Sequence, residues 1–252
     1  MNYGLIGEKL GHSFSKPIHE KLADYTYDIC PLSKAEFKNF MKKKDFKAIN
    51  VTIPYKQDVI PYLSSIDEHA KAIGAVNTIV NDNGRLKGYN TDFSGFIYMI
   101  HKHNICMKGK KCLVLGNGGA AKAIIAALKY EQAKEIIIVD IITGNGAISY
   151  EECFREHTDA EIIVNTSPVG MYPKVNAQPV DLMHFPKCKA VVDVIYNPLE
   201  TQLTKQGREL GMTSITGLEM LVAQAKYAVE IFLNQSIEDA KIQEIYEELK
   251  KQ

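Results

Sequence analysis

Apolar residues recur along this chain with two periods. Short β-rich runs at residues 3–7, 27–31, 48–53 and 76–81 alternate with windows whose apolar positions return every three or four residues. That alternation predicts an α/β protein with largely parallel sheets. A helix is expected over residues 17–25, with Pro17 near its first turn, and another is opened by the capping box Ser33-Lys34-Ala35-Glu36. Asn83-Gly84 is a turn signal, so residues 76–81 and 86–89 read as an antiparallel pair. A long helix over 92–103 leads through Lys108-Gly109-Lys110-Lys111 into a second β-α series, with strands at 112–115, 135–140, 161–165 and 190–195. Two helices, over 217–233 and 237–250, follow with no further strand. The pattern therefore predicts two α/β domains. Residues 1–97 form an N-terminal domain with a mixed sheet, residues 98–216 a second domain, and residues 217–252 helices that return to the first.

Composition narrows the partners. The chain has 252 residues, 46% of them hydrophobic, enough for two cores. Lys plus Arg and Asp plus Glu both number 30, so no net field draws it to nucleic acid or to an anionic membrane. A small molecule is the expected partner, with no nucleic acid and no membrane, and the protein a monomer or a homodimer. The five cysteines are odd in number and form no Cys-x-x-Cys pair, which indicates neither a disulfide framework nor a zinc site. No apolar run approaches the roughly 18 residues of a membrane span. The N-terminus runs directly into a strand, and the expected location is the reducing cytoplasm.

The run Leu113-Val114-Leu115-Gly116-Asn117-Gly118-Gly119-Ala120-Ala121 follows an apolar strand and opens an Ala-rich helix. In that context G-x-G-x-x-G/A points to dinucleotide binding and makes the second domain Rossmann-like. Gly116 permits a tight turn, Gly118 lets the backbone approach a pyrophosphate, and Ala121 lets helix and strand pack closely. Gly119 and Ala120 begin a helix whose N-terminus favours anions. The bland alternative is a Gly-rich connection in a doubly wound sheet. Asp140 ends the next strand, where an acidic side chain commonly accepts a ribose 2′-hydroxyl and repels a 2′-phosphate; this favours NAD. Thr143-Gly144-Asn145-Gly146 is a loop and residues 147–150 already read as the next strand, so the crossover helix between them is missing or shortened.

Four further words carry polar residues where a half-buried strand needs none: His12-Ser13-Phe14-Ser15, Asn50-Val51-Thr52-Ile53-Pro54-Tyr55-Lys56, Gly74-Ala75-Val76-Asn77-Thr78 and Gly88-Tyr89-Asn90-Thr91-Asp92. Singly, a Ser pair reads as a cap, a Lys as a solvated side chain and an Asp before a helix as an N-cap. Downstream stand Asn165-Thr166-Ser167-Pro168-Val169-Gly170-Met171, then Asp193-Val194-Ile195-Tyr196-Asn197-Pro198 with Thr201, and Gly217-Leu218-Glu219-Met220-Leu221-Val222-Ala223-Gln224. Together and in this order, these words resemble the shikimate dehydrogenase family across nearly the whole chain.

The resemblance implies reversible reduction of 3-dehydroshikimate to shikimate, a step of aromatic amino acid biosynthesis, with NADP as the family's cofactor. It makes Lys56 and Asp92 the catalytic pair. It places Ser13 and Ser15 on the substrate carboxylate, with Thr52, Asn77 and Gln224 on that carboxylate or the ring hydroxyls. Tyr196 would serve the substrate where it borders the nicotinamide. Gly116, Gly118, Gly119, Ala120, Ala121, Asp140, Thr166 and Gly217 would hold the dinucleotide. No metal is implied, since the cofactor carries the hydride chemistry. The chain departs from the family at Lys9, Lys16 and Tyr89, and most at residues 140–146, where NADP-using members carry an Asn-Arg-Thr word and a further basic residue. NAD therefore stands as the alternative cofactor. A quinate/shikimate dehydrogenase using NAD and a non-catalytic shikimate-binding homologue stand as alternative functions.

Overall fold

The computed structural model describes residues 1–11 and 13–251, and His12 lies outside the described residues. It divides into two units, one of Met1–Gly95 with Leu221–Gln252 and one of Phe96–Met220. The first unit holds β1 (Tyr3–Gly7), α1 (Ser15–Leu22), β2 (Tyr27–Pro31), α2 (Lys34–Lys43), β3 (Ala48–Val51), β4 (Ser65–Ile66), α3 (Glu68–Ile73), β5 (Thr78–Asp82) and β6 (Arg85–Tyr89). Its sheet runs β2-β1-β3-β5-β6-β4. The β1, β2 and β3 strands are parallel, whereas β5 is antiparallel to both β3 and β6. Successive side chains alternate between faces. Ile6 and Ile49 enter one core with Phe37, Met41, Val59, Ile79 and Leu86. Their neighbours Leu5 and Ala48 face Tyr27, Ala228 and Phe232 on the other side. The last two residues come from α8 (Leu218–Leu233), so the C-terminal segment covers the second face of this sheet.

Local chemistry sets the element ends. Ser33 accepts from the Glu36 N–H while the Glu36 carboxylate accepts from the Ser33 N–H, which closes the capping box of α2. Asn83 (φ 51°) and Gly84 (φ 86°) form the turn of the β5-β6 hairpin. Two elements here escaped the sequence pattern because they are very short: β4, and α3, which is capped by the Asp67 carboxylate.

The second unit contains β7 (Lys111–Leu115), α5 (Gly119–Tyr130), β8 (Glu135–Val139), β9 (Ala147–Ile148), α6 (Tyr150–Glu156), β10 (Ile162–Asn165), β11 (Ala190–Asp193), α7 (Gln202–Glu209) and β12 (Thr213–Thr216). Every strand pair is parallel, in the order β9-β8-β7-β10-β11-β12. Counted from β7 this is 3-2-1-4-5-6, the order of the doubly wound dinucleotide fold, and its switch point lies between β7 and β10. The strand β12 corrects the expectation that no strand follows β11. Its sequence Thr-Ser-Ile-Thr offers only Ile215 to the core, too little for the apolar pattern to register. The strand expected over residues 147–150 ends at Ile148, because Ser149 caps α6 by accepting from the Glu152 N–H.

Residues 140–146 carry no helix. Gly144, Asn145 and Gly146 all have positive φ, and Gly144 bridges Ala147 as the chain doubles back. So short a connection reaches a parallel partner because β8 and β9 share a ladder of only two residue pairs. The helices α4 (Thr91–Lys102) and α8 both run across the division between units, and α9 (Ala240–Leu249) ends the chain. Among the described residues, no helix is long and apolar enough to cross a membrane, and no group of His, Cys, Asp and Glu could hold a metal ion.

Candidate active site

In the first unit Ser13 and Ser15 stand at the start of α1, Thr52 and Lys56 past the end of β3, Asn77 just before β5 and Asp92 at the start of α4. Ser15 is the first residue of α1 and is buried; its N–H donates to Ser13 Oγ at 3.2 Å. The strand β3 stops at Val51, two residues short of the apolar run, because the chain turns at Thr52 and the Tyr55 N–H donates back to the Thr52 carbonyl at 2.9 Å. Tyr55 anchors that turn. Its ring is fully buried, stacks on Phe37 at 4.2 Å, and gives its hydroxyl to the Leu32 carbonyl at 2.6 Å. The next residue is Lys56, whose ammonium lies 2.6 Å from Asp92 Oδ2, with side chains only 13% and 11% exposed. Asp92 does not cap α4. Asn90 does, accepting from the Asp92 and Phe93 N–H groups, and this leaves the Asp92 carboxylate for Lys56.

An amide and hydroxyl network lies alongside. Asn77 Oδ1 accepts from the Thr91 N–H at 2.8 Å and from Thr78 Oγ1 at 2.9 Å, while its Nδ2 donates to Thr91 Oγ1 at 3.0 Å. Asn50 bridges β3 to β5 through Thr78 Oγ1 and accepts from the Tyr27 hydroxyl. Gln224, on α8, accepts from Thr91 Oγ1 at 3.4 Å. Thr91 thereby joins two predicted site residues distant in sequence. It stood within the Gly88 to Asp92 word, but a Thr before a helix carries no signal that separates this use from an ordinary cap.

The second unit presents the glycine-rich turn at the carboxyl edge of its sheet, beside the switch point. Gly116 has φ +99°, and a Cβ there would lie 3.0 Å from Ser167 N and from Thr166 Oγ1. Both the conformation and the space therefore demand glycine. Thr166 donates its hydroxyl to the Leu115 carbonyl at 2.8 Å and fixes the exit of β10 against the turn. A Cβ on Gly118 would meet nothing within 4 Å, which leaves the approach to the start of α5 open. Gly119 and Ala120 form the first turn of that helix, and Ala121 is buried beneath it. The first N–H groups of a helix have no acceptor within it, so this end suits an anion. Asp140 stands just past β8. One oxygen accepts from the Asn117 N–H at 2.7 Å and the other from the Ile142 N–H at 2.9 Å. Further along the edge, a Cβ on Gly217 would lie 2.1 Å from the Val194 carbonyl oxygen, and the Gly217 N–H donates to the Ile195 carbonyl. Burial raises the Tyr196 phenol above its ordinary range.

A family model described as the shikimate dehydrogenase substrate binding domain matches residues 5–79. A curated relative from Clostridium perfringens, named shikimate dehydrogenase (NADP(+)), is 38% identical over 273 aligned positions that cover 98% of each chain. The chain belongs to the shikimate dehydrogenase family. Among solved structures it is similar to a chorismate mutase/shikimate 5-dehydrogenase fusion protein from Clostridium acetobutylicum, with a TM-score of 0.90 and 39% identity over 99% of this chain and 97% of that one. It is also similar to a Thermus thermophilus shikimate 5-dehydrogenase in complex with NADP(H) and shikimate, with a TM-score of 0.88 and 25% identity over 98% and 99% of the two chains. The C. perfringens alignment is longer than the 252 residues here, so it opens gaps in this shikimate dehydrogenase family member.

Proposed function

We propose that this protein interconverts 3-dehydroshikimate and shikimate, with hydride passing between the substrate ring and a nicotinamide dinucleotide. The observation that carries the reading is the 2.6 Å pair of Lys56 and Asp92. Reduction of a ketone builds negative charge on its oxygen. The Lys56 ammonium is the group here that can stabilise this charge and deliver the proton. Asp92 holds the Lys56 ammonium in place, and its second oxygen is available to a neighbouring ring hydroxyl.

Ser13 and Ser15 serve the substrate carboxylate as neutral donors, a role consistent with their position at the start of α1. Thr52, Asn77 and Gln224 serve the carboxylate or the ring hydroxyls. Asn77 Nδ2 has a second N–H to give beyond the one it spends on Thr91. The dinucleotide, when bound, supplies the hydride. Gly116, Gly118, Gly119, Ala120 and Ala121 cradle its pyrophosphate, and Thr166, Tyr196 and Gly217 border its nicotinamide.

The residues fit a dinucleotide, and its identity turns on Asp140. Curated relatives are named for NADP(+), and NADP is the family's cofactor. Residues 140–146 contain no Lys or Arg, and Asp140 holds a carboxylate at the second strand's carboxyl end, where a 2′-phosphate would approach. That supports use of NAD. Its two backbone bonds still leave lone pairs for a ribose hydroxyl. Following reduced nicotinamide absorbance with shikimate or quinate, each paired with NADP or NAD, tests the whole reading. Turnover of shikimate is expected with either cofactor. No turnover with any pair would leave a binding homologue, and a preference for NADP of about a hundredfold, ~2.7 kcal/mol, would refute the NAD assignment.

A further inference from the structure

One buried acid at the carboxyl edge of the second sheet has no part in the chemistry above. Asp193, the last residue of β11, is 0% exposed, and among the described residues it has no ion-pair partner. Three donors from three stretches of chain converge on it. Asn165 Nδ2 at the end of β10 and the Ile195 N–H both donate to Oδ1, at 3.0 and 3.1 Å, and the Thr201 hydroxyl donates to Oδ2 at 2.8 Å. Burial pushes the Asp193 carboxyl up to about 6, while the three hydrogen bonds pull it back. All three partners are donors, which matches a carboxylate, an acceptor only.

Each donor fixes a different part of the loop edge. Asn165 Oδ1 accepts from the Ser167 N–H at 3.1 Å and hydroxyl at 2.7 Å, and Ser167 N is one of the two atoms that a Cβ on Gly116 would meet at 3.0 Å. Ile195 is bonded by Gly217, and in the same loop Asn197 accepts from the Tyr172 N–H at 3.1 Å. Thr201 caps α7, so the far end of the 194–201 loop is held as well. Because β10 flanks the switch point, the loops leaving β10 and β11 stand where a doubly wound sheet receives its ligand.

We propose that Asp193 is a positioning residue for the nicotinamide half of the dinucleotide site, its carboxylate holding the loops after β10 and β11 in their binding arrangement before the ligand arrives. The inference rests on the dinucleotide reading of this unit. It assigns Asp193 no contact with the ligand. Support from behind the contacting loops preserves affinity by removing looseness from the groups that do touch.

The test is calorimetric titration of the full chain with two probes: the reduced dinucleotide that it uses, and the matching fragment without nicotinamide, ADP-ribose or its 2′-phosphate. Asp193→Asn, which turns an N–H toward a donor, is expected to weaken the dinucleotide about tenfold or more while the fragment stays within about twofold. Shikimate, which meets the same loop only through Tyr196, should weaken by less than the dinucleotide. Thr201→Val removes one donor to Asp193 together with the cap of α7 and should shift the same ratio in the same direction by less, whereas loss of the cap alone would lower the melting temperature and leave the ratio unchanged; it decides the matter if Asp193→Asn does not fold. Equal weakening of both probes, or a lowered melting temperature with both affinities intact, would make Asp193 a purely structural acid and overturn the proposal. If the wild-type chain binds neither probe, the dinucleotide reading itself fails and this inference falls with it.

Discussion

The role proposed for Lys56 depends on its neighbours. By itself a lysine five residues beyond a strand is a solvated cation. Here the buried Tyr55 ring pins the turn, Asn90 takes over the capping of α4, and the Asp92 carboxylate is left to pair with the ammonium at 2.6 Å. A group that stabilises developing oxyanion charge acts in the transition state more than in the ground state. Lys56→Ala should therefore lower kcat by about 10² to 10⁴, with shikimate affinity by titration within a few-fold of wild type. Equal losses in rate and affinity would instead recast Lys56 as a binding anchor.

At the scale of elements, the connection from β8 to β9 is the feature that separates this chain from a complete doubly wound unit. Its residues 140–146 reverse direction through three successive positive-φ positions, and Asp140 ties the reversal to the glycine-rich turn through the Asn117 N–H. Ile141 and Ile142 are left 87% and 76% exposed, with no cation beside them in the loop. Replacing the carboxylate by an amide keeps one acceptor oxygen and removes the charge that opposes a phosphate dianion. At a solvent-exposed sheet edge, screened by water and salt, such a like-charge contact is worth on the order of 1 kcal/mol. Asp140→Asn should accordingly raise the ratio of kcat/KM for NADP over NAD by about tenfold, measured by steady-state kinetics. An unchanged ratio would mean that Asp140 serves only the turn.

Across the whole molecule, stability carries a pH signature that no local motif announces. His19 is fully buried, stacks on Tyr27 at 3.9 Å, and has its Nδ1 2.8 Å from the Tyr25 hydroxyl; burial lowers its pKa from the ordinary 6.5 to about 3. Below pH 6.5 the unfolded chain takes up a proton that the folded chain refuses. The stability of the neutral buried ring is thus complete above 6.5 and lost progressively as pH falls toward 3. The expected slope is about 1.4 kcal/mol per pH unit. Asp193 works with the opposite sign, because its raised carboxyl favours the folded state below about 3.8 and loses that advantage as pH rises through about 6. His19→Phe keeps the aromatic stack and removes the titration, so its urea midpoint should fall less than wild type between pH 6.5 and 4.5. A parallel fall in both proteins would locate the acid sensitivity elsewhere.

By itself the sequence determined the fold class, the capping box at Ser33, the hairpin at Asn83-Gly84 and the glycine-rich turn, since each is local: a period, a capping pair or a backbone conformation that only certain residues adopt. It also supplied the words that resemble one family. The short β4, α3 and β12 were not legible, because two to six residues with few apolar positions make no periodic signal. Tertiary structure alone decided the pairings. Asn90 rather than Asp92 caps α4, Thr91 links Asn77 to Gln224, and Asp193 gathers Asn165, Ile195 and Thr201. Gln224 lies far from Thr91 along the chain and Asn165 far from Asp193, and even for near neighbours such as Asn90 and Asp92 a polar residue's role depends on which donor or acceptor burial leaves within about 3 Å of it, a distance set by packing and not by order.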